Sequence, residues 1–280
     1  MPRRGRIKGL VSLVGAGPGD PSLLTLGALL RLREADVVVY DRLVSDEVLS
    51  LIPRRVRKVY GGKDPGSKGR EKQEELNELM LGEAKSGKKV VRLKGGDPFL
   101  FSRGGEEAEF LRDRGVEFEV VPGVSSALAV PAYAGIPLTH RGYSSSVTVV
   151  TGREAGSKSR LEWSKIAAGS DVLVVLMGAA RAKEIATNLV RAGKPADTPM
   201  AAITWGTTKR QRTVTTTLGR AAKEGEADAI EAPSVLVVGR VVSLASKLRW
   251  WPEKASKSRP RVDAAASGSP PSRRGSRTPR

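Results

Sequence analysis

Between residues 10 and 121, short β-branched runs alternate with stretches of helical periodicity, a pattern that restricts the chain to βαβ units on a largely parallel sheet. Residues 10–14 read as the first strand. After a Gly-rich turn, Asp20 is placed as a helix N-cap with Pro21 at the first helical position, and Leu23, Leu26, Leu29 and Leu30 form an apolar face. Residues 37–40 follow as a strand, 46–52 as a short helix stopped by Pro53, and 56–60 as a third strand. A polar, Gly/Lys-rich loop over 61–70 has the composition of a lid. Residues 71–85 then read as a helix closed by Gly87, 89–93 as a strand, 106–114 as a helix ended by Gly115, and 117–121 as a fifth strand.

At Pro122 and Gly123 the texture changes. Residues 146–151, 172–177, 200–204, 212–218 and 235–238 read as strands, and 181–191 and 240–250 as helices that cover them. Thr213, Thr215 and Thr217 alternate along a polar strand, the mark of an antiparallel or edge element, so this second sheet is expected to be mixed. The fold class is α/β: two α/β domains with a ligand cleft between them, the first sheet largely parallel and the second mixed. The expected boundaries are a basic extension over 1–9, domains over 10–122 and 123–252, and a disordered basic tail over 253–280.

Charge decides how that tail is read. The 280 residues hold 48 Lys and Arg against 30 Asp and Glu, a net charge of +18, with 39% hydrophobic residues to build a core. Residues 253–280 carry +6 of that charge and Arg3, Arg4, Arg6 and Lys8 another +4, which leaves +8 for the body. The tail is Ser, Pro, Arg and Ala with almost no large apolar side chain, so it cannot bury enough surface to offset its ordering entropy. No Cys and a single His exclude a disulfide framework, a cysteine nucleophile and a thiolate or His-rich metal cage; no metal is expected. The longest apolar runs fall far short of the roughly 18–20 residues of a membrane span, and the basic start has no apolar stretch behind it, so the chain reads as cytoplasmic.

Two Gly-rich strings stand at strand ends. Gly15-Ala16-Gly17-Pro18-Gly19-Asp20 departs from the dinucleotide-binding fingerprint, because an acid occupies the position of the last Gly and would face a pyrophosphate. The turn is read either as a rigid approach to a neutral or cationic ligand or as a plain strand-to-helix turn. The second string, Arg92-Leu93-Lys94-Gly95-Gly96-Asp97-Pro98-Phe99-Leu100-Phe101, sits where open α/β sheets bind ligands. Its Gly pair admits close backbone approach, and Asp97 is either a ligand acceptor or the start of an Asx-Pro turn. Glu106 and Glu107 open the following helix in a place that the macrodipole favours.

Together with GGK, VVPGVSSALAVPAYAGIPLTHR, VTVVTG, VVLMG, ITWGTT and SVLVVGRVV, these strings run in an order and spacing that resembles the uroporphyrinogen-III C-methyltransferases of the tetrapyrrole methylase family, from about Val11 to Val242. The resemblance implies two α/β domains, a homodimer, and S-adenosyl-methionine folded into the cleft between domains. It implies methyl transfer to C2 and C7 of uroporphyrinogen III, giving precorrin-2. Cofactor contacts would fall on Pro18, Gly95, Gly96, Asp97, Leu100, Ser125, Ser126, Met177 and Gly206. Asp41 would be the proton acceptor and Lys63 the proton donor, while Arg42, Arg103 and Arg141 lie beside motifs expected near a polycarboxylate substrate, which suits bidentate Arg recognition. On residue type alone Asp41 pairs with Arg42 or caps the next helix, Lys63 is a solvated loop cation, Met177 is core or contact, and His140 is structural. Leu176 stands where many members of that family have Tyr, and Ser102 where Gly is common.

Three other activities fit parts of the sequence. Methylation of a later corrin precursor uses the same scaffold. An RNA or protein methyltransferase, or a nucleic-acid-binding module, would use the basic ends, but with four Trp, four Tyr and four Phe there is no aromatic-basic platform, which argues against nucleic acid.

Overall fold

A computed structural model describes residues 9–62, 71–154, 161–223, 227 and 230–253. The first sheet holds β1 (Leu10–Gly15), β2 (Val37–Tyr40), β3 (Arg57–Tyr60), β4 (Lys89–Lys94) and β5 (Glu117–Val121) in the order β3-β2-β4-β1-β5, every pairing parallel. Successive residues of a strand face opposite sides, so Val11 and Leu13 join one core and Val14 the other. On the first side lie α3 (Glu71–Lys85) and α4 (Gly104–Asp113), contributing Leu76, Met80, Ala84, Ala108 and Leu111. On the other lie α1 (Leu26–Glu34) and α2 (Asp46–Ser50), contributing Ala28, Leu32 and Val48.

The second sheet holds β6 (Val147–Thr151), β7 (Val172–Leu176), β8 (Pro199–Thr204), β9 (Arg212–Thr217) and β10 (Ser234–Val238) in the order β6-β7-β10-β8-β9. Only β6 and β7 pair in parallel; the remaining contacts are antiparallel, and the Thr-rich β9 is the edge, as its polar alternation predicts. One face packs on α7 (Ala182–Arg191) and α8 (Leu218–Lys223). The other receives α5 (Ser126–Tyr133), which follows β5 in sequence yet buries Ala127 and Val130 against the second sheet. Helices α6 (Trp163–Gly169) and α9 (Ala245–Leu248) belong to the same half of the chain.

Three expectations need correction. Asp20 does cap a turn, its Oδ1 accepting from Ser22 N at 2.8 Å, but that turn is a single 3-10 turn over Pro21–Leu23. Thr25 then caps α1 afresh, which rotates the helix so that Leu26 and Leu30 face solvent and Ala28 and Leu32 are buried. The expected helix over 240–250 is a 3-10 turn, Arg240–Leu244, and then α9; Trp250 and Trp251 lie beyond it, both against Tyr133. Glu253, expected to open the tail, is instead part of the packed structure: its carboxylate accepts from Gln211 Nε2 at 3.0 Å and from Thr213 N at 3.1 Å. Residues 254–280 and 1–8 lie outside the described residues. Among the described residues no helix is long and apolar enough to cross a membrane.

Gly82 sits in α3 with open space where a Cβ would be. A helix glycine carries an entropic penalty relative to Ala, so Gly82→Ala is expected to stabilise the protein by about 0.5–1 kcal/mol, read as a higher denaturation midpoint at unchanged m-value.

Candidate active site

The topology selects the site. From β1 the chain crosses to β2 and β3 on one side of the sheet, and from β4 it crosses to β5 on the other, so the connections diverge between the neighbours β1 and β4. Ligands of open α/β sheets bind outside the carboxyl ends of strands at such a point. Here those ends carry Gly15–Asp20 and Gly95–Phe101. The two loops are stitched by Gly96 N donating to Gly17 O at 2.7 Å and Gly17 N donating to Gly96 O at 3.2 Å.

Glycine is required here by contact as much as by conformation. A Cβ on Gly123 would stand 2.4 Å from Gly96 O and 2.7 Å from Gly15 Cα, and one on Gly15 would stand 2.5 Å from Gly123 Cα. Three backbones therefore meet where only hydrogen fits. Gly96 also lies beside Ser125 and Ser126, with Ser125 Oγ accepting from Ala127 N as the cap of α5. Asp97 is the Asx turn that one reading of the sequence predicted: Oδ1 accepts from Phe99 N at 2.8 Å, while Oδ2 accepts from Gly123 N at 3.1 Å and ties the loop to the glycine junction.

The second half supplies a third loop. Gly19 lies against Thr207, Thr208 and Gly206 O, and Asp20 N donates to Thr207 Oγ1 at 3.2 Å. Tyr133 donates its hydroxyl proton to Asp20 Oδ2 at 3.0 Å. Burial opposes ionisation of Asp20, yet the hydrogen bonds from Ser22 and Tyr133 carry its carboxyl below the ordinary value. Buried Gln211 props this loop, accepting from Thr207 N at 2.7 Å and donating to Tyr133 O at 3.3 Å. Gly206 fits tightly over Val130 of α5.

Among the described residues the non-Gly positions with left-handed backbone are Phe101, Arg103, Met177, Trp205 and Thr207, at φ between 50° and 65°. All five lie in loops just past the carboxyl ends of β4, β7 and β8. Such conformations cost of order 1–3 kcal/mol each and persist where the surroundings over-determine them, which is common at ligand sites. Phe99, Leu100, Phe101 and Met177 are exposed, so Met177 is not a core residue. Leu176, where many members of that family have Tyr, is buried with Ala127 and Val130, and the Ser102 hydroxyl is bonded to Pro98 O.

Asp41 follows β2, and its partner is Arg92 rather than Arg42. Arg92 Nη2 donates to Asp41 Oδ1 at 2.5 Å, and Asp41 N donates to Leu93 O at 3.2 Å. The helix at Asp46 is capped by Ser45, so Asp41 does not cap it. Behind Asp41 lies a charge cluster that the sequence reading missed. Arg92 Nε donates to Glu107 Oε1 at 3.1 Å, and Lys94 Nζ donates to Glu107 Oε1 and Oε2 at 3.0 and 2.9 Å. Gln73 Nε2 adds a bond to Glu107 Oε1 at 3.0 Å. Side-chain exposures are 3% for Arg92, 2% for Lys94 and 0% for Glu107. The signal was available: Arg92 and Lys94 share the face of Val90 on a strand buried on both sides, which demands a buried anion. Glu107 supplies it, so its place at the helix start is more than a dipole effect.

The substrate-side cations are dispersed. Arg103 is clamped on Glu106, Nε to Oε2 at 3.0 Å and Nη2 to Oε2 at 2.5 Å. Arg42 and Arg141 are exposed, and His140 serves the turn, with Nδ1 at 2.8 Å from Arg141 O. Lys63 lies outside the described residues. Pro18 is half-buried between Gly17 and Gly19.

Residues 10–222 match the family model described as Tetrapyrrole (Corrin/Porphyrin) Methylases. The chain belongs to this family. It is 48% identical over 244 residues to a siroheme synthase 2 of Yersinia enterocolitica, covering 87% of this chain and 51% of the relative. A siroheme synthase of Chromobacterium violaceum is 47% identical over 243 residues, covering 87% and 52%. The chain thus spans about half the length of the curated relatives it matches. Among solved methylases, the native uroporphyrin III C-methyl transferase from Thermus thermophilus superposes with a TM-score of 0.73 at 43% identity, covering 84% of this chain and 100% of that one. The same enzyme complexed with S-adenyl homocysteine gives 0.73 at 42% identity with the same coverage. A cobalt precorrin-4 methyltransferase reaches 0.73 at 27% identity, covering 86% and 99%.

Proposed function

We propose that this chain catalyses S-adenosyl-methionine-dependent C-methylation of uroporphyrinogen III at C2 and C7, giving precorrin-2 and S-adenosyl-homocysteine for siroheme or cobalamin formation. The observation that carries the reading is the convergence of the 15–20, 95–101, 123–126 and 205–208 loops at one switch point, in a chain 42% identical to a uroporphyrin-III C-methyl transferase complexed with S-adenyl homocysteine. The higher identity to that enzyme, against 27% to the cobalt precorrin-4 methyltransferase, favours the earlier substrate.

The residues fit that cofactor. A surface of backbone amides and carbonyls opened by Gly95 and Gly96, with exposed Leu100 and Met177 beside it, suits an adenine ring and a sulfonium, which need shape and main-chain hydrogen bonds. When bound, S-adenosyl-methionine supplies the sulfonium-activated methyl group. Pro18, Gly95, Gly96, Asp97, Leu100, Ser125, Ser126, Met177 and Gly206 hold it in this reading, Asp97 doing so by fixing its own loop. Two domains, 10–122 and 123–252, enclose the site. Arg42, Arg103 and Arg141 recognise substrate carboxylates. Asp41 accepts the proton that the macrocycle loses after the new carbon–carbon bond forms, the C–H electron pair neutralising the cation left by methyl transfer; Lys63 is the proton donor for a tautomeric shift within the macrocycle and recovers its proton from the position that the shift deprotonates. Positioning dominates the rate, with acid–base assistance contributing on the order of 10²–10⁴-fold.

The reading includes a cytoplasmic homodimer, for which Leu26, Leu30 and Leu128 supply exposed apolar surface. Sedimentation at the monomer mass would remove that part. The activity is tested by incubating the chain anaerobically with labelled S-adenosyl-methionine and uroporphyrinogen III and following label and product mass. Two methyl groups per tetrapyrrole are expected. Cofactor binding without labelled product would remove the substrate and move the test to later corrin precursors.

A further inference from the structure

We propose that Arg92, held by a Glu107 that Lys94 pins in turn, is a positioning residue that fixes the Asp41 carboxylate for proton transfer. The proposal rests on the reading of Asp41 as the proton acceptor. Its basis is geometric. A guanidinium presents its donors in one rigid plane, and Arg92 spends them on three different anchors: Nε on Glu107, Nη1 on Val39 O at 3.4 Å and Nη2 on Asp41 Oδ1. Glu107 is itself pinned by Lys94 and Gln73, so the plane of Arg92 has no freedom to turn.

Asp41 is the partly exposed end of this chain of charges, at 31% side-chain exposure, while every charged group behind it is sealed from water. With Oδ1 committed to Arg92, the arriving proton goes to Oδ2. The cluster is balanced, two cations against two carboxylates, so the carboxylate can be held without a net buried charge. It also sets distance. Asp41 is bonded to β4 through its side chain and through its backbone, and β4 runs directly into Gly95 and Gly96. Proton acceptor and cofactor loop are thereby fixed to one strand, the arrangement that a reaction governed by near-attack geometry requires.

Arg92→Lys separates positioning from charge balance, because Lys keeps the cation but cannot bond three anchors in one plane. Turnover of uroporphyrinogen III with S-adenosyl-methionine is measured for wild type, R92K, D41N and the double variant, alongside melting and S-adenosyl-homocysteine binding. The expected result is a kcat at least tenfold lower in R92K with KM and cofactor affinity within twofold of wild type, and a double variant no slower than D41N alone. Glu107→Asp, which slackens the anchor while keeping its charge, is expected to show the same masking by D41N and serves if R92K does not fold. Wild-type kcat in R92K, or losses in the double variant that multiply, would overturn the proposal. If D41N turns over like wild type, the reading of Asp41 falls instead, whatever R92K does.

Discussion

Glu107→Gln is expected to lower stability by about 3–5 kcal/mol at neutral pH, a drop in melting temperature on the order of 10 °C. The substitution is nearly isosteric, so packing alone predicts a small effect. Charge predicts a large one, because Arg92 and Lys94 would then share a buried site with Asp41 as their remaining carboxylate. The pH dependence checks the cause. Burial alone would raise the Glu107 carboxyl, but the Arg92 and Lys94 charges, with hydrogen bonds from Lys94 and Gln73, carry it below its ordinary value of 4.5. A carboxyl depressed in the folded state contributes stability that is complete above its unfolded value and lost as pH falls through the folded value. The gap between wild type and E107Q should therefore be widest near pH 7 and close progressively below pH 4.5. Thermal melts across that range measure it. A second variant tests the balance directly: Lys94→Met combined with Glu107→Met removes one charge of each sign and should recover at least half of the E107Q loss. A double variant as unstable as E107Q would mean that the cluster stabilises by specific hydrogen bonds rather than by neutrality.

That cluster also marks where sequence reasoning stops. Strand positions and the bounds of α2, α3, α4 and α7, to within two residues, follow from local patterns, because a residue's contribution to periodicity is carried by its near neighbours: the 71–85 helix and the 117–121 strand stand as read. The Asx turn at Asp97 and the edge position of the Thr-rich β9 were legible for the same reason. Helix α5 was hidden, since Pro131 inside it mimics a breaker and its all-round apolar surface has no stripe to detect. The face of α1 was misread because Thr25, a cap five residues after Asp20, resets the helical phase. Pairings such as Arg92 with Glu107, or Gln211 with Glu253, join residues that only the tertiary fold brings together. For Arg92 and Lys94 the sequence held the question, two cations on a strand buried on both faces, without the answer.

Gly123→Ala is expected to disrupt the junction at the centre of the site. The added carbon would stand 2.4 Å from Gly96 O and 2.7 Å from Gly15 Cα, both backbone atoms that no rotamer change can move aside. Overpacking of this kind costs roughly 1–3 kcal/mol, and here it must be relieved by separating the β1 and β4 loops from the 122–126 segment. The hydrogen bond from Gly123 N to Asp97 Oδ2, now 3.1 Å, would be strained with them, so the Asx turn that shapes the 95–101 loop loses its outer anchor. A shift of about 1.4 kcal/mol in cofactor affinity corresponds to tenfold, and S-adenosyl-homocysteine binding by calorimetry is expected to weaken by at least that factor. Gly105→Ala is the matched control: it lies in the first turn of α4, in the same stretch of chain, with nothing within 4 Å of the added Cβ. It should leave binding unchanged and stability within about 1 kcal/mol of wild type. If G123A bound the cofactor as wild type does, the glycine junction would be a packing solution for the two halves and the ligand would sit elsewhere on the switch point. If G105A weakened binding equally, the α4 start rather than the junction would govern the loop, and the role given to Gly15, Gly96 and Gly123 would pass to the segment from Arg103 to Glu107.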